Sequence, residues 1–115
     1  TSLLCEKACE YLENTQGIKA DFFDLRVLNP LKLEEIIQSV NKTGRLLVVD
    51  GDWSSCGIAA EIIASIIEKV NLPGLKSSPK RITLPDSPAP TSKALEQLYY
   101  IKEEQIIETI IDLVK

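Results

Sequence analysis

Histidine is absent from the sequence, and with it go the commonest protein metal ligand and the side chain most often used as a general base near neutral pH. Cysteine is scarce. Cys5, Cys9 and Cys56 are an odd set whose spacing does not resemble a disulfide framework, so reduced thiols are expected. Cys5 and Cys9 fall on one helix face, but two thiolates without histidine are too few for a soft-metal site, and both are expected to pack as small hydrophobes. Cys56 has no base beside it to activate it as a nucleophile. Positive charge is also short: 13 Lys and Arg against 17 Asp and Glu leave a net charge of −4. No basic cluster is interleaved with aromatics, which excludes a nucleic-acid-binding role. No apolar run approaches the roughly 20 residues that span a bilayer, and the first residues lack a basic stretch leading into a signal-like core. A soluble, intracellular protein is expected.

What is present is one domain's worth of core. A chain of 115 residues with 44% hydrophobic side chains suits a single compact unit. Residues 2–15 place Leu4, Cys5, Ala8 and Leu12 on one face, predicting an amphipathic helix that Gly17 stops. Lys19 to Leu25 is short and rich in Phe and Leu, and it predicts a strand. Asn29-Pro30 then supplies a helix cap and first turn, and Leu33, Ile36, Ile37 and Val40 mark a second helix. Leu46 to Val49 is apolar without alternation, as in a parallel strand covered on both faces. A helix from about Ile58 to Val70 follows, then a loop over residues 71–80 and a strand from Arg81 to Leu84. Pro85, Pro88 and Pro90 impose a stiff extended connection. A short helix over Lys93 to Tyr99 and a longer one from Glu103 to Val114 close the chain.

Helices alternating with short apolar strands predict an α/β fold, a three-layer α/β/α arrangement with a mostly parallel sheet. The chain opens on a helix, so the first strand is expected to be missing and the sequence to be part of a longer polypeptide.

Four blocks carry a family resemblance. They are Asp24-Leu25-Arg26 with Asn29-Pro30-Leu31, Thr43 to Val49, Gly57-Ile58-Ala59-Ala60-Glu61-Ile62, and Arg81 to Leu84 followed by Pro85-Asp86-Ser87-Pro88-Ala89-Pro90. In this order they resemble the C-terminal domain of the transketolase family, and in particular of E1 beta subunits of thiamine-diphosphate-dependent 2-oxoacid dehydrogenases. The resemblance implies a transketolase C-terminal-like domain over residues 1–115 that catalyses nothing itself. The family's metal and diphosphate motif, Gly-Asp-Gly with a later Asn-Asn, is not matched by Gly51-Asp52-Trp53. Thiamine diphosphate and magnesium are therefore expected in the parent enzyme and not in this domain. The implied partners are the pyrimidine-binding domain, the alpha subunit, the E2 acyltransferase and a second copy of the chain. The implied location is the cytoplasm, or the mitochondrial matrix in a eukaryote. Two alternatives stand beside this reading: the C-terminal domain of a ketol transferase, and a free-standing regulatory module that binds a small ligand.

Three groups of residues are candidates for function. Ser54, Ser55, Cys56 and Gly57 lie where a strand's carboxyl end meets a helix, the usual ligand crevice of open α/β sheets. Either serine is placed to cap that helix, while Asp50 and Asp52 would repel an anion there. The apolar arc of the following helix is wider than one sheet face needs, so Ile62, Ile63, Ile66 and Ile67, with Trp53 ahead of them, are candidates for an oligomer interface. Tyr99 and Tyr100, before the last helix, are candidates for partner docking.

Overall fold

The first helix forms because its apolar residues recur at helical spacing. In the computed structural model, which describes residues 2–25, 33–53, 55, 57–70, 72–85, 92 and 99–115, the side chains of Asp52, Trp53 and Leu72 excepted, helix α1 spans Ser2–Gln16 and buries Ala8 and Leu12. Gly17 takes a φ of 67°, and the turn closes through a hydrogen bond from the Ile18 N–H to the Leu12 carbonyl at 3.2 Å. Helix α2 spans Glu34–Thr43, with Glu34 and Glu35 at its positive end and Lys42 at its negative end, as the helix dipole favours. Its N-cap position is Leu33, without a side-chain cap. The expected cap at Asn29 is thus not where α2 begins, and Asn29-Pro30 itself lies outside the described residues.

Strand β1, Leu47–Trp53, and strand β2, Lys80–Leu84, pair in parallel, with Leu47 opposite Lys80 and Val49 opposite Ile82. The expected strand ended at Val49. It continues to Trp53 through an irregularity in register after Val49, because β2 still offers Leu84 as a partner. Helix α3, Ile58–Ile67, makes the crossover that parallel pairing requires. It stops short of the predicted Val70, where Lys69 and Val70 both bond the Ile66 carbonyl at 3.0 Å and the last turn tightens. Helix α4, Glu103–Val114, carries Glu103 and Glu104 in its first turn. The predicted helix over Lys93 to Tyr99, apart from Tyr99, lies outside the described residues, as do Pro88 and Pro90.

Alternation along β1 divides the core. Leu47 and Val49 face one cluster with Ala8, Ile82, Ile101 and Ile106, so α1 and α4 cover that side. Val48 faces the other, with Leu33, Ile36, Val40, Ile62 and Ile66, so α2 and α3 cover the opposite side. The result is the expected α/β/α layering around a small parallel sheet. Each fully buried aliphatic chain is worth about 1.5–3 kcal/mol, and Leu12, Ile66 and Ile106 are the largest such residues.

The segment from Ile18 to Leu25 corrects the expected strand at Lys19 to Leu25: it carries no regular secondary structure. A strand is a state of pairing, and among the described residues β1 and β2 pair only with each other. No helix among the described residues is long and apolar enough to cross a membrane.

Candidate functional site

Two places concentrate the candidate residues: the crevice where β1 feeds α3, and a cleft along the edge of β1 turned away from β2. In the crevice the helix begins at Gly57, whose φ of −81° and ψ of 165° make it an extended N-cap without a side-chain bond. A carboxylate from the preceding strand reaches this helix end. Asp50 Oδ2 accepts a hydrogen bond from the Ala59 N–H at 3.3 Å, which satisfies one of the open donors of the first turn and sets a negative charge at the positive end of the helix dipole. Sequence reasoning missed Asp50 in this role because capping rules look one position ahead of a helix, whereas Asp50 comes from the strand. Ser55 is exposed, and Ser54 and Cys56 lie outside the described residues. An anion at this helix end would have to displace the chain's own carboxylate.

The cleft has a volume of about 530 Å³. The half-buried Cys5 and Cys9 of α1 and Ile110 of α4 form one wall, Val40 of α2 and Ile62 of α3 the opposite one. The Leu47–Asp50 edge of β1 and the segment Ile18–Leu25 close the two remaining sides. Burial first, then the nearby Cys9, pushes the Cys5 thiol above its ordinary value, and burial does the same for Cys9. Both are neutral thiols at pH 7 and poor nucleophiles. Among the described residues, no three His, Cys, Asp or Glu side chains are grouped to hold a metal ion.

The Ile18–Leu25 segment is fastened at both ends. Ser39 Oγ donates to Asp21 Oδ2 at 2.6 Å and the Lys42 ammonium lies 3.0 Å from the same oxygen. These two contacts, the hydroxyl first, hold the Asp21 carboxyl below its ordinary pKa. Ser2 Oγ donates to Asp24 Oδ1 at 2.9 Å, tying the start of α1 to the other end. Arg45 Nε donates to the Leu113 carbonyl at 2.8 Å, placing a cation at the negative end of α4.

The interface candidates separate. Ile62 and Ile66 are buried in the chain's own core, which takes them out of any surface. Ile63 and Ile67 are half-buried against the same cluster, and the Trp53 side chain lies outside the description. Tyr99 is buried while Tyr100 is exposed, their rings meeting edge to face at 5.0 Å. Sequence reasoning did not mark the other large apolar residues at the surface, Leu3 and Tyr11 on α1 and Phe22 and Phe23 beyond it.

Residues 2–106 match the family described as the transketolase C-terminal domain. The chain is 33% identical over 104 residues to the mitochondrial pyruvate dehydrogenase E1 component subunit beta of Saccharomyces cerevisiae, covering 90% of this chain and 28% of that protein. It is 38% identical over 103 residues to the corresponding Bacillus subtilis subunit, covering 90% and 31%. It is also 38% identical over 91 residues to the acetoin:2,6-dichlorophenolindophenol oxidoreductase subunit beta of Cupriavidus necator, covering 79% and 27%. The chain thus spans under a third of the length of these curated relatives. With a family match that runs from the first helix into the last, and the layered parallel fold behind it, the chain belongs to the transketolase C-terminal domain family.

Proposed function

We propose that this chain is the non-catalytic assembly domain of a thiamine-diphosphate-dependent E1 beta component, and that its work is to present packing surface to the rest of that enzyme. The observation that carries this reading is the set of exposed apolar side chains on α1 and the segment after it, Leu3 at 62%, Tyr11 at 48%, Phe22 at 40% and Phe23 at 37%. Large apolar groups left in water mark contact surfaces. The partners are the pyrimidine-binding domain of the same subunit, an alpha subunit and a second beta copy, with half-buried Ile63, Ile67 and the Trp53 position as the homotypic contact. The location follows the parent, cytoplasm or mitochondrial matrix.

Thiamine diphosphate and magnesium belong to the parent and do not fit this domain. The α3 N-terminus, at the carboxyl end of β1, already holds the Asp50 carboxylate, which repels a diphosphate at short range. Titrating thiamine diphosphate with magnesium into the chain is expected to give no binding heat in calorimetry; micromolar affinity would overturn the assignment. Relatives named for pyruvate and for acetoin match at comparable identity, 33% and 38%. The domain's sequence therefore follows the shared architecture, and the substrate is set elsewhere in the parent. Of the two, a 2-oxoacid dehydrogenase parent that passes an acyl group to an E2 acyltransferase accords with more of the relatives named above.

Docking of E2 is assigned to the exposed Tyr100 at the foot of α4. Removing Glu103 to Lys115 would not isolate this function, because Ile106 and Leu113 of that helix are buried. Tyr100→Ala in the assembled E1 is expected to weaken E2 binding about tenfold or more, in the range of an aromatic contact residue at an interface, with unchanged thermal unfolding. E2 binding equal to that of the parent protein would dismiss the docking role.

A further inference from the structure

Charge is divided along the strands of the sheet. A crossover helix runs opposite to the parallel strands it joins, so α3 ends where β2 begins, and α2 ends where β1 begins. Carboxylates gather at the carboxyl end of the sheet. Glu34 and Glu35 open α2, Glu61 lies in the first turn of α3, and Asp50 bonds the start of that helix. Cations gather at the amino end. Lys42 lies in the last turn of α2, Arg45 precedes β1, Lys69 follows α3, and Lys80 and Arg81 begin β2, with Lys76 in the loop before it.

Main-chain bonds draw that loop onto the start of β1. The Lys76 N–H donates to the Gly44 carbonyl at 2.8 Å and the Lys80 N–H to the Leu46 carbonyl at 3.0 Å. Gly44 and Leu46 are two residues apart, so these anchor points lie no more than about 7 Å from each other. That is inside the Debye length of about 8 Å at physiological salt, and charges carried there act on a partner together. Val70, next to Lys69, belongs to the same core cluster as Leu46. The stretch from Lys69 to Arg81 holds four cations and no carboxylate, in a chain whose net charge is −4.

The chain leaves much of this charge unused. Lys42 pairs with Asp21 at 3.0 Å, and Arg45 Nε donates to the Leu113 carbonyl at 2.8 Å. Lys69, Lys76 and Lys80 are exposed, and none of the three forms an ion pair among the described residues. The dipole of α3 accounts for Lys69, but Lys76 and Lys80 lie on no helix. Like charges held together repel and destabilise the fold that carries them, so what favours them lies outside the chain.

We propose that this amino-terminal rim of the sheet, centred on Lys69, Lys76 and Lys80, docks an acidic segment of another polypeptide. Carboxylates at alternate positions of an extended segment repeat every 7 Å or so, which matches the spacing of the Lys76 and Lys80 anchors. The three lysines come from a helix end, a loop and a strand, an arrangement that suits a segment lying across the rim better than one small anion. No aromatic residue lies between Lys69 and Arg81 to stack on a base, which disfavours a nucleic acid. The rim is set by this chain alone and is the same whichever enzyme the parent is.

A fluorescein-labelled peptide of about ten glutamates, titrated into the full-length protein that contains this chain, is expected to bind with an affinity that falls as salt is raised. Lys69→Gln/Lys76→Gln/Lys80→Gln is expected to weaken binding about tenfold or more, with unchanged thermal unfolding because all three side chains are exposed. Should that variant lose its fold, Lys76→Gln alone decides, with an expected weakening of about threefold. Lys7→Gln/Lys19→Gln/Lys102→Gln removes the same charge from exposed positions elsewhere and is expected to leave binding unchanged. Absence of binding overturns the proposal, and so does equal weakening in both triple variants, which would reduce the effect to net charge. Tighter binding of a DNA duplex of equal charge overturns it by assigning the rim to nucleic acid. Displacement of the peptide by inorganic phosphate at the peptide's own concentration overturns it by assigning the rim to a small anion.

Discussion

Ile66→Ala is expected to destabilise the domain by about 2–5 kcal/mol, the range of large-to-small changes at sites that cannot collapse. Ile66 is fully buried, in a cluster drawn from α2, α3 and the adjoining Leu33, Leu46 and Val70, so the vacated space has walls on several sides and none is free to move in. Ile63→Ala, three positions earlier on the same helix and only half-buried, is expected to cost about 1 kcal/mol. Urea unfolding of the two variants checks the pair. Equal losses would mean that the helix is rotated from its observed setting. A change in sedimentation with Ile63→Ala, but none with Ile66→Ala, would mark the half-buried side as the contact between copies.

The breadth of apolar surface on α3 was legible, but its use was not. Sequence periodicity shows how wide an apolar arc is and not how many neighbours share it. Here Ile62 and Ile66 join one cluster with both Val48 of the sheet and Ile36 and Val40 of α2, so much of the surplus is consumed inside the chain. Elements whose stability is local were read well. α1, α2 and α4 follow from 3.6-residue spacing, with glycines where α1 and α2 stop, and the β1 core was marked by its unbroken apolar run. The segment from Ile18 to Leu25 has the composition of a strand, yet strand formation depends on a partner that composition does not contain. The site was legible only in part for a related reason. Asp50 reaches Ala59 from the end of a strand, and local sequence windows do not connect the two. The family, by contrast, was legible from ordered blocks of residues, because turns and strand starts are fixed by short-range chemistry.

Gly44→Ala is expected to cost about 2–5 kcal/mol, through two independent effects at one position. Gly44 has a φ of 73°, where an L side chain costs about 1–2 kcal/mol, and its N–H closes α2 on the Val40 carbonyl at 2.7 Å. A Cβ would also lie 2.7 Å from the Gly74 carbonyl oxygen and 3.0 Å from the Lys76 nitrogen. Both are backbone atoms, and Lys76 donates its N–H to the Gly44 carbonyl at 2.8 Å, so the loop cannot retreat without losing that bond. Overpacking of this kind adds about 1–3 kcal/mol. Gly17 separates the contributions: its φ is 67° but nothing lies within 4 Å of its Cβ position, so Gly17→Ala carries the backbone strain alone. Thermal unfolding of the two variants side by side is expected to show the larger drop for Gly44→Ala, on the order of 10 °C. A drop no greater than that of Gly17→Ala would show that the 72–76 loop does not press on the end of α2, and that the entry into β1 is held by something other than this close approach.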